Sequence, residues 1–190
     1  MTPTITRTHI PGQLIIATPA VLDARGAFLE SWDASAFRAV GLDLSHVDQE
    51  FETVSEPNVL RGLHYQDDSA PIAKLVRCIS GSIFDVVVDL RPDSPAFGCY
   101  CWLHGFGGWI YVPIGCAHGF YVLSQTPALV QYKQFGRRVV SAEGAIQWND
   151  SDIGIVWPPE CVTPILSDRD ATAPSFAEYR TKEQQCAPVS

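Results

Sequence analysis

Short apolar runs closed by turn residues recur along the chain, and this spacing predicts strands more than helices. Lys74-Leu75-Val76-Arg77-Cys78-Ile79 is one such run. Ser80-Gly81-Ser82 then turns the chain into another at 83–90, which predicts a hairpin. A strand is expected at 109–113, followed by a turn at 114–118 and a strand at 119–123. Residues 128–135 and 145–148 continue the series. Regular short strands predict an antiparallel barrel or sandwich. Helix is scarce. Asp33 is a fair N-cap for a helix running through Ala34, Phe37 and Val40 to a stop at Gly41. Phe37 and Val40 are three apart, so one face would pack on the barrel. A second short turn is expected at 167–171, and an irregular tail from about Pro174.

Composition narrows the class. Of 190 residues, 46% are hydrophobic and 18% charged, an ordinary globular balance with enough chain for a sizeable core. No internal repeat or linker interrupts it, so a single domain over 1–190 is expected. No apolar run reaches the ~18 residues of a membrane span. Residues 1–10 lack the basic start, apolar stretch and cleavage site of a secretory signal, so a cytoplasmic location is expected. The net charge of −8 argues against a nucleic-acid partner. It leaves room for a small anionic ligand, which needs only a few cations aimed into one pocket. The six cysteines contain no CxxC pair, and free, mostly buried thiols are expected.

Several residues stand out as candidates for chemistry. In Leu60-Arg61-Gly62-Leu63-His64-Tyr65-Gln66, strict alternation places Gly62 and His64 on one face and Arg61 on the other. If Arg61 and His64 share a site, the strand must bulge or bend near Gly62. Lys74 lies inside an apolar stretch; it is either an edge-strand lysine or a cation held near a developing oxyanion. His118 sits between small residues that would let a ligand approach its ring. Tyr132 falls in a strand and reads equally as a core tyrosine. The Asp168-Arg169-Asp170 segment offers a helix cap or a carboxylate that orients a base histidine. The histidines are far apart, with no His-x-His pair, so no metal site is expected. GxGxxG, P-loop and GxSxG motifs are also lacking.

Taken in order, these segments resemble the dTDP-4-dehydrorhamnose 3,5-epimerase family of the cupin superfamily. The resemblance runs from about Leu14 to Ala173. It rests on residues 23–30, the 59–66 segment with Arg61-Gly62-Leu63-His64, and Lys74-Leu75-Val76-Arg77. It continues through 84–91, Ala117-His118-Gly119-Phe120, 146–150 and 164–167. It implies a mainly β jelly-roll barrel with a few short helices, a homodimer, and no metal or cofactor. It implies epimerisation at C3, C5 or both of a nucleotide-diphosphate 4-keto hexose.

The resemblance also implies roles. His64 is the base, Asp170 its support and Tyr132 the acid, while Lys74 suits the enolate oxygen. Arg25, Glu30, Gln49, Glu50, Arg61, His118, Glu143 and Arg169 carry over as substrate contacts. Arg25, Arg61 and Arg169 suit a diphosphate, whose oxygens match the guanidinium fork. Three features depart from the family pattern. Gln49-Glu50-Phe51 replaces a Gln-Asp-Asn triplet. Arg137-Arg138 replaces two aromatic residues beside the nucleoside. One residue is inserted between His118 and Tyr132, with a bulge expected near Pro127. The first two point to another base or a differently substituted sugar. The alternatives are a single-centre epimerase or ketoisomerase on a non-thymidine nucleotide sugar, a non-catalytic sugar-nucleotide-binding cupin, and a metal-dependent cupin oxygenase.

Overall fold

The computed structural model describes residues 2–39, 41–42, 46–105 and 108–186. Strands β1 (Thr4–Arg7), β2 (Leu14–Ala17), β10 (Trp109–Val112), β7 (Ala73–Ser80), β12 (Ala128–Phe135) and β5 (Gln49–Ser55) form a six-stranded sheet in that order. A five-stranded sheet has the order β13 (Glu143–Ala145), β6 (Leu60–Gln66), β11 (Cys116–Val122), β8 (Ile83–Asp89) and β9 (Tyr100–Gly105). The ladders in both sheets are antiparallel. β3 (Ala20–Asp23) and β4 (Gly26–Leu29) form a separate hairpin.

Alternation along the strands fills the space between the sheets. Val76, Cys78, Ile110, Val112 and Val130 of the first sheet pack with Ile83, Val87, Phe120 and Val122 of the second. This is the expected mainly β jelly-roll architecture. All seven residues of β8 are buried because the outer face is covered too. There Phe84, Val86 and Val88 meet Ile146, Ile153, Phe176 and Tyr179. Burying a large apolar side chain of this kind stabilises by about 1.5–3 kcal/mol.

The last two of those residues lie in α3 (Phe176–Cys186), where an irregular tail was expected. Ser175 Oγ accepts from the Glu178 N–H at 3.2 Å, and Glu178 Oε2 accepts from the Ser175 N–H at 2.7 Å. This reciprocal capping box, Ser-x-x-Glu, is the local signal that the weak apolar pattern hid. Phe176 and Tyr179, three apart, anchor the helix on the sheet.

Two shorter helices fall where the pattern put them. α1 (Ala34–Ala39) is capped by Asp33 Oδ1, which accepts from Ser35 N at 2.8 Å and Ala36 N at 3.3 Å. Its Phe37 is buried against Leu14, Ile16, Leu75 and Trp109; Val40 lies outside the described residues. α2 (Asp168–Ala171) follows the N-cap Ser167. The expected 114–118 turn is shorter than predicted, because β11 begins at Cys116, so His118 is a strand residue. β13 ends at Ala145, where a strand was expected to begin. The edge strand β5 escaped the apolar pattern because Gln49, Glu50 and Glu52 make it largely polar.

The bulge expected near Pro127 is not there. The register slips between Leu129 and Val130, opposite Ser80 and Cys78, so the unmatched residue is Ile79 of β7. Cys78, Cys116 and Cys161 are buried free thiols, whereas Cys99 is exposed. Among the described residues, no helix is long and apolar enough to cross a membrane.

Candidate active site

The site is built on an irregularity in β6. Its ladder with β11 pairs His64 with His118 and Arg61 with Phe120, so Gly62 and Leu63 together face the single residue Gly119. This bulge flips the alternation and turns Arg61 and His64 into the same cavity. The condition stated from the sequence is thus met at Gly62. Gly62 has φ +129°, and a Cβ there would lie 2.5 Å from the Gly119 Cα. Only glycine fits.

That cavity, of about 370 Å³, opens between the sheets. His64 enters from the five-stranded sheet, and Lys74 and Tyr132 enter from the six-stranded one. The His64 Nε2–H donates to Asp170 Oδ1 at 2.6 Å, which leaves Nδ1 as the ring nitrogen free to take a proton. α2 places Asp170 behind the ring, 3% exposed, where Oδ2 also accepts from the Gly62 N–H at 3.4 Å. Burial alone would raise the Asp170 carboxyl. The hydrogen bond and charge of His64 outweigh it and hold the group below the usual carboxylate range.

A second pair lies alongside. His118 Nε2 meets Asp85 Oδ1 at 2.6 Å, with both side chains buried. The sequence reading missed Asp85. Its signal was a carboxylate two residues before the core residue Val87, hence on an inward face.

Lys74 makes no ion pair with any described residue. Burial pushes its amine down to about 8, against the pull of Glu143 and with the push of Arg169 and Arg138. Burial likewise raises the Tyr132 phenol above its ordinary value, so it stays protonated. At the rim Glu143 pairs with Arg138 and with Arg169, whose Nη1 lies 2.7 Å away. Burial favours the neutral carboxyl, but the two guanidiniums together keep Glu143 ionised. Arg61 Nε donates to Ser55 Oγ at 2.8 Å.

The structure therefore gathers His64, Lys74, Tyr132, Arg61, His118, Glu143 and Arg169 around one cavity, with Asp170 directly behind. Other candidates lie elsewhere. Gln49 Oε1 accepts from the Arg138 N–H at 2.7 Å and so positions the rim from outside. Glu50 pairs with Lys133, whose ammonium lies over Trp32 and Trp109, away from the cavity. Arg25 stands in the exposed β3–β4 hairpin, paired with Asp23 at 2.5 Å. Neither Arg25 nor Glu30 lines the cavity of its own chain. Sequence reasoning did not assign Gln134 to the lining, and it noted Phe51 and Arg138 as departures from the family pattern without making them site residues. A wider depression of about 760 Å³ beside Phe97 and Phe176 offers an exposed Arg180–Asp152 pair at 3.3 Å and no such histidine–carboxylate pair.

The geometry provides a proton acceptor backed by a carboxylate, a cation, and a protonated phenol on facing walls. That set suits proton abstraction next to a carbonyl. Among the described residues, no three His, Cys, Asp or Glu side chains form a group that would hold a metal.

Comparison with known proteins agrees. The family model for dTDP-4-dehydrorhamnose 3,5-epimerase matches residues 7–178. The dTDP-4-dehydrorhamnose 3,5-epimerase of Salmonella typhimurium is 40% identical over 174 residues, covering 90% of this chain and 93% of that protein. A crystal structure of dTDP-6-deoxy-D-glucose-3,5-epimerase from Legionella pneumophila, in complex with dTDP-4-keto-L-rhamnose, superposes with a TM-score of 0.84. It is 34% identical and covers 93% of this chain and 96% of its own. ChmJ, a 3'-monoepimerase from Streptomyces bikiniensis in complex with dTDP-quinovose, gives a TM-score of 0.80. It is 28% identical, with 97% and 98% covered.

Proposed function

The chain belongs to the dTDP-4-dehydrorhamnose 3,5-epimerase family, and from that premise we propose that it inverts C3 and C5 of a nucleotide-linked 4-keto hexose. The observation that carries this reading is the His64–Asp170 pair facing Lys74 and Tyr132 across one cavity. The C4 ketone acidifies its neighbouring C–H bonds. His64 Nδ1 takes the proton, and the bonding pair moves onto the C4 oxygen as an enolate. Asp170 stabilises the resulting imidazolium, and the Lys74 ammonium stabilises the enolate. The Tyr132 O–H then protonates the carbon from the opposite ring face and regains its proton from water, to which His64 returns the one it took. Arg61, Arg138 and Arg169 supply cations for the diphosphate.

Incubating the protein with a dTDP-linked 4-keto-6-deoxy sugar in D2O tests this. Deuterium at C3 and C5 supports double inversion. The likeness to a 3'-monoepimerase makes uptake at C3 alone the second reading. No uptake with any nucleotide-linked 4-keto sugar overturns both.

Lys74 sets a limb of the pH profile. Its depressed amine is charged below about pH 8 and neutral above, so kcat falls as pH rises through that value. Lys74→Arg keeps its charge there, and the fall moves to higher pH. A wild-type profile flat to pH 10 contradicts the role.

We also propose a homodimer of single-domain chains, located in the cytoplasm. β3 is exposed throughout, and Val21, Leu22 and Phe28 of the hairpin are 54%, 76% and 66% exposed. An isolated two-stranded hairpin is marginal in water, so a cover is needed. A second copy would cover it and receive Arg25 and Glu30 at its own cavity. Arg25→Ala and His64→Gln chains, each inactive alone, should then regain about a quarter of wild-type activity after mixing and exchange of subunits. No recovery places Arg25 outside the partner's site.

A further inference from the structure

We propose that Phe51 is a positioning residue for Tyr132, and that it decides whether the enolate is protonated on the face opposite His64. The proposal rests on the reading of Tyr132 as the acid and goes beyond it. Phe51 and Tyr132 are directly paired on β5 and β12. Their rings stack with centroids 4.7 Å apart and planes 13° apart. His118, itself fixed by Asp85, meets the Tyr132 ring edge-on at 6.0 Å. The phenol is thus gripped on a face by Phe51 and on a flank by His118. Swinging it out of line means breaking the stack.

Phe51 also faces the cavity. It and Thr53, two residues on along β5, both line it. At 37% exposed, Phe51 is a large apolar ring left open where a ligand would sit, while Tyr132 beneath it is 7% exposed.

The two half-reactions respond differently to loss of the grip. Proton removal belongs to His64, on the other sheet, and to Asp170, on α2, and does not touch Phe51. Inversion needs the Tyr132 O–H in line with the carbon on the far face. With the phenol displaced, the enolate forms and is reprotonated by His64 itself. The carbon keeps its configuration but gains solvent hydrogen.

The test measures deuterium uptake and inversion separately in D2O, with a dTDP-linked 4-keto-6-deoxy sugar, for the full-length protein. Phe51→Ala is expected to lower inversion by about ten- to a hundred-fold, the scale of misplacing a catalytic group by about 1 Å. Uptake should change by less than about three-fold, so its ratio to inversion rises. Phe51→Leu keeps apolar bulk without a ring; it should raise the ratio too, and it serves if alanine disrupts the edge strand. Phe51→Tyr keeps the stack and should stay near the wild-type ratio. A general loss of structure lowers uptake and inversion together. An unchanged ratio in the alanine and leucine variants overturns the proposal, as does a tyrosine variant that behaves like alanine. Absence of uptake in the wild type is a different result and sinks the epimerase reading instead.

Discussion

Replacing His64 by glutamine lowers turnover and deuterium uptake from D2O together by about 10²–10⁴-fold, while the protein stays folded. The magnitude is that of losing a general base. Glutamine is the informative replacement because Asp170 is buried and ionised behind the ring, within reach of a donor at the Nε2 position. Alanine would leave that carboxylate without its 2.6 Å partner, and an orphaned buried charge destabilises by itself. In the His64→Gln variant the side-chain amide can still donate to Asp170, as the ring Nε2 does, but has no lone pair basic enough to take a carbon-bound proton. Circular dichroism and thermal unfolding should match the wild type. Retained deuterium uptake would assign proton removal to another group, and His118, backed by Asp85, would be the first to examine.

Gly62→Ala is expected to destabilise the protein by about 3 kcal/mol or more and to remove activity even below its melting temperature. The added methyl would lie 2.5 Å from the Gly119 Cα and 3.0 Å from the His118 carbonyl oxygen. Both obstacles are backbone of the adjacent strand, so no side chain can rotate to relieve the contact. The positive φ adds its own cost for an L-residue. For a chain of this length such a loss lowers Tm by roughly 6–12 °C. Activity falls further than stability requires, because the same bulge turns His64 and Arg61 into the cavity. A variant melting within about 2 °C of wild type would mean the strand shifts freely at that point.

These expectations rest on features that were unequally visible beforehand. The motif residues His64, Lys74 and Tyr132 could be picked out by type and order, and Asp170 by its place in the 164–170 segment. What stayed hidden was relational. Asp85 reads as one polar position in an apolar strand until His118 is placed 2.6 Å from it. Phe51 reads as a departure from a pattern until it lies flat on Tyr132. The helix at 176–186 was missed because only two apolar anchors mark it, although Ser175 and Glu178 carried a local capping signal. Arg25 and Glu30 were named from resemblance, yet the fold sets them on an exposed hairpin away from the cavity of their own chain.

Alternation of apolar and polar side chains, with glycine and proline at the turns, was enough by itself to determine a β architecture with little helix. The reason is local: period two and turn chemistry are properties of neighbouring residues. Strict alternation also put Arg61 and His64 on opposite faces, and only tertiary structure reversed that. Pairing with β11 forces a bulge at Gly62, because Gly119 leaves room for a single closely approaching backbone. Cross-strand register depends on residues more than fifty positions away, so no reading of one segment can contain it.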